Sequence, residues 1–566
     1  MRLALLNAGI FHRFSLVCLT LGLMALGTPA TTGFGETVTY NKVFLGANLD
    51  ALGRTLVVGD INGDQQTDIF FAGCGPCGLA KEEPAPEFHH VYGLLSAPYS
   101  GEMTFDFGTD TPDFTAVGTT TCGSFAIGLA VGDLDGDAID DLVFTEEYYH
   151  ESEGRIYVLR GRTDLSLPIE IDTVIADAEL EIGPSDNLTY LGRSLAIADV
   201  NGDGYGDLIT GAHYDDGETF DHESLAIYAG SADFFSSMGG TPSPDTVIIA
   251  EESGGDFGNP VAALDVDGDG FADILSAEST REFAPGDLAG AFYVIHGDAG
   301  LLNKPLRHLG DKPAALSIYG GADNASLGDA FTFVPATQTE PAMILVTDSR
   351  ATVDDRSGCG AVYGFALPDL ATKTVVDLNS ENPDFLLYGA APYHSIGTSV
   401  AVSHDVQSNR TLWVGASNAS VDGAYGNGEV FVLSGQLLDS ATTDLGDTSP
   451  IARYSGENDG DQFGNFILAA DFDGSGSEDI AISAWYGQVE GRADAGKVYF
   501  LADPFAASDD DDDSATDDDD SAIDDDDIDD DDTVVADDDD AATDDDDNAD
   551  QTAGNDDDDD SAGCCG

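Results

Sequence analysis

Asp199, Asn201, Asp203 and Asp207 put oxygen-bearing side chains at positions 1, 3, 5 and 9 of a nine-residue loop, with Gly204 at position 6 to permit a sharp bend. The backbone carbonyl of Tyr205, at position 7, offers a further oxygen. Hard oxygen donors gathered in so short a loop make a cage for a hard cation, and Ca²⁺ is the ion they suit. The pattern recurs as Asp60, Asn62, Asp64 and Asp68 with the carbonyl of Gln66, and as Asp133, Asp135, Asp137 and Asp141 with that of Ile139. It returns as Asp265, Asp267, Asp269 and Asp273 with Phe271, and as Asp471, Asp473, Ser475 and Asp479 with Ser477. Up to five structural Ca²⁺ ions are therefore expected. An EF-hand would need a bidentate Glu at position 12, where these loops have Phe71, Phe144, Thr210, Ser276 and Ile482, so the Asp at position 9 must close the cage. Gln65 and Ala138 stand where Gly is usual, and Ser475 replaces an acid. Recurrence argues against an ordinary solvated Asp/Gly turn, as does the mutual repulsion of three or four carboxylates that lack a cation.

The elements that position these loops follow from their spacing. The first aspartates are separated by 73, 66, 66 and then 206 residues, the last being about three periods. Two units without a cage fill that interval, visible as the apolar pairs 327–333 with 342–346 and 396–402 with 411–416. Seven units result, starting near residues 50, 123, 190, 256, 326, 395 and 462. In each, short apolar segments flank the loop and read as two buried strands of a hairpin. A third strand recurs at 155–159, 224–228, 291–295, 361–365, 429–433 and 497–501, and a weaker fourth precedes the next unit, as at 246–250 and 451–454. Seven units of four strands predict an all-β, seven-bladed β-propeller. The seventh unit runs out after 497–501, so the segment 36–45 is expected to supply its fourth strand and close the ring, hiding an open edge.

At these residues the chain resembles the FG-GAP repeat family of integrin-α-type propellers. The "FG" position matches Leu191-Gly192, Phe257-Gly258, Leu327-Gly328, Ile396-Gly397 and Phe463-Gly464. The "GAP" position matches Gly211-Ala212-His213 and Gly415-Ala416-Ser417, and more loosely Ala72-Gly73-Cys74. The resemblance covers roughly residues 36–504. It implies cation loops on one face and ligand recognition on the other, by the FG- and GAP-side loops. The integrin leg domains and transmembrane helix have no counterpart, so integrin-like heterodimers do not follow.

The formal net charge is −87, from 20 basic and 107 acidic residues. Such a surface repels polyphosphate, which excludes nucleic acid and anionic membranes as natural partners. Residues 1–30 have basic residues, an apolar run and a small-residue end, the pattern of a secretory signal peptide. The propeller is assigned to 31–505. Residues 506–566 collapse to Asp runs with 31 acids and end in Cys564-Cys565-Gly566, the composition of a disordered tail. That tail reads as a spacer, a weak Ca²⁺ reservoir or a surface attachment. An extracellular or cell-surface location is expected, where cysteines tend to pair. Six lie beyond the leader: Cys74, Cys77, Cys122, Cys359, Cys564 and Cys565. A Cys74–Cys77 bridge competes with one from either residue to Cys122. Cys74-Gly-Pro-Cys77 mimics a redox motif, but it follows a strand rather than opening a helix.

No Gly-x-Ser-x-Gly, His-Glu-x-x-His or clustered histidines point to hydrolysis. The expected function is a non-enzymatic binding or adhesion module for an extracellular protein or glycan. A hydrolase or lyase acting on an extracellular polymer, and a purely structural coat protein, are the alternatives.

Overall fold

The computed structural model describes residues 42–504 apart from short connecting segments, the longest being 75–88, 96–102 and 173–179. The proposed leader and tail lie outside the described residues. The ring has seven antiparallel blades. Blade 3 shows the pattern: Leu195–Ala198 innermost, then Asp207–Tyr214, His222–Tyr228 and Thr246–Ile249 outermost. Its hairpin register pairs Leu195 with Thr210 and Ala198 with Asp207, so the cation loop is the turn itself. The two units without a cage form blades of the same kind, opening with Phe331–Val334 against Met343–Asp348 and Ser399–His404 against Arg410–Ala416.

Blade 7 closes as the sequence predicts. Lys42–Leu45 pairs antiparallel with Lys497–Leu501, joining the two ends of the propeller. Phe44 is fully buried there, with its ring 4.8 Å from Phe71 and 4.9 Å from Phe500. The apolar core lies between blades rather than within one. Ala130, Val143 and Ile156 of blade 2, for example, pack with Leu208, Ala226 and Tyr228 of blade 3.

The FG dipeptide is where neighbouring blades meet. Leu191 bridges Gly154 of the preceding blade, and Leu327, Ile396, Phe463 and Leu52 bridge Gly290, Gly360, Gly428 and Gly496 in the same way. Gly192 has φ +98°, and a Cβ there would lie 2.7 Å from Thr145, so both conformation and space demand glycine.

One feature was not predicted. The outer strand of several blades gains a fifth, parallel strand from the next blade, as when Met103–Asp106 pairs with Lys42–Leu45 and Ile169–Asp172 with Phe114–Val117. This covers edges that would otherwise be free to pair with another chain.

Removing the closing ring should be costly. Phe44→Ala is expected to destabilise the propeller by about 3–5 kcal/mol, because the site is packed by aromatic rings on several sides. The exposed Thr104→Ala on the neighbouring strand should stay within about 0.5 kcal/mol. Urea unfolding of both variants measures the contrast, and equal losses would refute the closure.

Candidate cation loops and the opposite rim

In the blade-3 loop, Asp199 Oδ1 accepts from the N–H groups of Gly202 (2.6 Å) and Asp203 (3.1 Å), and Oδ2 accepts from Gly204 (2.8 Å). The first aspartate thus folds the turn around its own carboxylate. Asp203 Oδ1 accepts from Tyr205 N at 3.1 Å. Asp207 is fully buried at the root, accepting from Val200 N and Gly230 N, each at 3.0 Å. The other loops repeat these bonds, with Asp60, Asp133 and Asp265 in the first role. In all five the closing aspartate accepts the N–H of position 2: Asp68 from Ile61, Asp141 from Leu134, Asp273 from Val266 and Asp479 from Phe472.

The departures at position 6 keep the bend. Gln65 and Ala138 hold φ +65° and +67°, the left-handed conformation that Gly204, Gly270 and Gly476 adopt without strain.

Carboxylate oxygens of Asp133, Asp135 and Asp141 lie within 4.8 Å of one another, as do those of Asp265, Asp267 and Asp269 and those of Asp471, Asp473 and Asp479. Burial pushes Asp141 and Asp207 up to about 7, and it raises Asp273 as well. The Oδ1 atoms of Asp135 and Asp471 are buried without a hydrogen-bond partner. Converging oxygens, buried carboxylates and orphaned acceptors together fit a hard divalent cation. In the Asn loops, the Asn201 amide donates to Asp207 at 3.2 Å, and turning that amide over would present its oxygen instead.

The loops also touch one another. The N–H at position 8 donates to the position-1 carbonyl of the preceding loop: Asp140 to Asp60, Gly206 to Asp133, and Ala272 to Asp199. Thr67 Oγ1 does the same to Asp471, and Glu478 N reaches His404 in blade 6. The five loops therefore form one continuous arc over blades 7, 1, 2, 3 and 4. Tyr205 and Phe271, at position 7, pack over Gly136 and Gly202 of the preceding loops.

The opposite rim is built from residues that follow each FG dipeptide and from the ends of the second strands. Arg193 lies 3.8 Å from Glu147, and Arg54 lies over the Trp485 ring at 5.7 Å. The Tyr190 and His213 rings are 4.7 Å apart. Tyr393 and Tyr425 are 74% and 82% exposed on loops of this side. No single stretch of sequence announces this rim, because its residues come from several blades, with Tyr190, Arg193 and His213 from blade 3 alone.

The cysteine expectations fare unevenly. Cys74 ends the strand Asp68–Cys74, while Cys77 and Cys122 lie outside the described residues. Cys359 corrects the expectation of pairing: it is a free, fully buried thiol packed with Ala351, Ala361 and Tyr388.

Residues 191–224, the FG dipeptide, cation loop and GAP segment of blade 3, match the FG-GAP repeat. The propeller thus carries an FG-GAP repeat and is similar to integrin-α-type propellers. It is 26% identical over 315 residues to integrin alpha pat-2 of Caenorhabditis briggsae, which covers 50% of this chain and 24% of that protein. It is 32% identical over 214 residues to integrin alpha-7 of Mus musculus, covering 35% and 16%. It is also 25% identical over 386 residues to phosphatidylinositol-glycan-specific phospholipase D of Bos taurus, covering 62% and 42%. The FG-GAP propeller thus spans less than half the length of each of these relatives.

His213 gives the rim a pH signature. Burial, then the Arg193 charge, pushes its imidazole down to about 4. The unfolded chain, with an ordinary value of 6.5, takes up a proton that the folded protein refuses, so this group's contribution falls as pH drops from about 6.5 to about 4. His213→Asn should make the loss of stability between pH 7 and pH 5 shallower than in the wild type, measured by urea unfolding. An unchanged or steeper loss would contradict the burial argument.

Proposed function

We propose that this FG-GAP propeller is a secreted or cell-surface, Ca²⁺-binding module that recognises an extracellular protein or glycan through the rim opposite its cation loops. The observation that carries the reading is the arc of five oxygen cages confined to one face. Ca²⁺ there is structural: it holds buried carboxylates such as Asp207 in their charged form and stabilises the fold by mass action. The side-chain ligands are those at positions 1, 3, 5 and 9 of each loop, joined by the position-7 carbonyl. Similarity to integrin α chains supports recognition rather than catalysis. Residues 1–30 would direct export, and 506–566 would act as a spacer or an attachment segment. No helix among the described residues is long and apolar enough to cross a membrane.

The match to a phospholipase D favours a second reading, a hydrolase. Among the described residues the groups of three or more acids or histidines whose ligand atoms lie within 4.8 Å of one another are those of the cation loops, His296 of blade 4 included. This arrangement supports a cation-stiffened scaffold better than a hydrolytic centre.

Thermal melts of the mature chain test the cation reading. The midpoint should rise with millimolar Ca²⁺ and fall with EGTA, and replacing Asp203 and Asp207 together by Ala should shrink that difference. A midpoint indifferent to both additions would end the Ca²⁺ proposal. Recognition is tested separately on a glycan and matrix-protein array: retained ligands, lost when Arg54, Arg193 and Tyr425 are replaced together by Ala, support it. Turnover of a glycosylphosphatidylinositol substrate with no array binding would favour the hydrolase.

A further inference from the structure

In three of the cation-loop blades the third strand ends two residues before a glycine whose N–H donates to the closing aspartate. Gly161 reaches Asp141 at 2.9 Å, Gly230 reaches Asp207 at 3.0 Å, and Gly297 reaches Asp273 at 3.0 Å. The shared bond makes the residue before that glycine equivalent in the three blades, and it is Arg160, Ala229 and His296 respectively. Ala229 brings no polar side chain to its loop. His296 places Nδ1 3.0 Å from Asp273 and 3.4 Å from Asp267. Arg160 goes further: its Nη2 lies 2.5 Å from Asp135 Oδ2 and 3.1 Å from Asp137 Oδ2, the position-3 and position-5 ligands of blade 2. The guanidinium is steadied from the next blade by the Phe235 ring, 5.4 Å away. Asp135 is 7% exposed, and its other oxygen, Oδ1, has no partner.

We propose that Arg160 is a tethered counter-cation that competes with the divalent ion for the blade-2 loop, so that the five loops do not fill equally. This rests on the reading that the loops bind Ca²⁺. A guanidinium is permanently charged and donates to carboxylate oxygens along their lone pairs. Ca²⁺ would sit about 2.3–2.6 Å from the same carboxylates, so close to the guanidinium that the two positive charges repel and the standing ion pair opposes its binding. Arg160 remains 39% exposed, leaving the displaced side chain free to move into water. The blade-3 loop, facing Ala229, has no such competitor. Blade 2 therefore carries its own partial neutralisation: its acids are less repulsive without metal, and its demand for Ca²⁺ is higher.

Peptide-resolved hydrogen exchange of the full mature chain across a Ca²⁺ titration tests this, because it separates the loops from the acidic tail. In the wild type, protection of 133–141 should reach its midpoint at about tenfold higher Ca²⁺ than protection of 199–207, a difference of about 1.4 kcal/mol. Arg160→Ala and Arg160→Gln should bring the two midpoints together, while Ala229→Arg should raise that of 199–207. If the two loops titrate together in the wild type, or if neither Arg160 variant moves the 133–141 midpoint, the competition is refuted while the cation reading stands. If no loop responds to Ca²⁺ in any variant, both fail. Because the Arg160 variants suffice, the inference remains falsifiable even if Ala229→Arg does not fold.

Discussion

Everything on the cation face depends on one buried carboxylate per loop. Asp207 has no exposed surface, yet it accepts N–H groups from the turn it closes and from the exit of the third strand. It fixes three strands of the blade at one point. Two backbone bonds offset part of the desolvation of the carboxylate, but burial still pushes it up to about 7, so the charged form needs more than hydrogen bonds. The proposed divalent cation among Asp199, Asn201, Asp203 and Asp207 would supply what is missing. The same argument holds for Asp141, whose position differs chiefly in having Arg160 near its neighbours.

Blades 5 and 6 show what replaces the cage. Met343 stands at the root of the blade-5 hairpin, where the position holds no charge to neutralise. In blade 6 the position belongs to Arg410, buried and paired with Glu340 of blade 5 at 2.8 Å, with Pro341 O also accepting from it. The fold therefore tolerates a neutral residue, a protein cation or an acid at this point, and only the acid calls for a metal. Backbone bonds link the loops along the arc, while the opposite rim carries the blade-to-blade variety on which the proposed recognition would draw.

The architecture was legible because its signals are local and repeated. A nine-residue donor pattern, short apolar strands and a period near 66 residues identify a blade wherever two of the three survive. Even ring closure could be read, since a missing fourth strand at one end and a spare one at the other leave a single arrangement. The parallel fifth strands could not. Thr443–Asp444 and Val375–Asp377 are too short to show alternation and are strands only because a neighbouring edge accepts them. The loop arc is not legible for a related reason: apart from the Thr67 hydroxyl, its hydrogen bonds join backbone groups of different units, which side-chain identity does not encode. Arg160 was invisible as a competitor because it lies 19 residues beyond Asp141 and meets the cage only once the third strand returns beside it.

The central claim is that the loops are cation cages rather than acidic turns. It is tested most directly by an anomalous difference map from crystals of the mature chain in which Ca²⁺ has been exchanged for Tb³⁺. The account predicts peaks inside the loops that begin at Asp199 and Asp265, each coordinated by side chains at positions 1, 3, 5 and 9 and by the carbonyl of Tyr205 or Phe271. Well-ordered loops with no peak within coordination distance of those oxygens would contradict it.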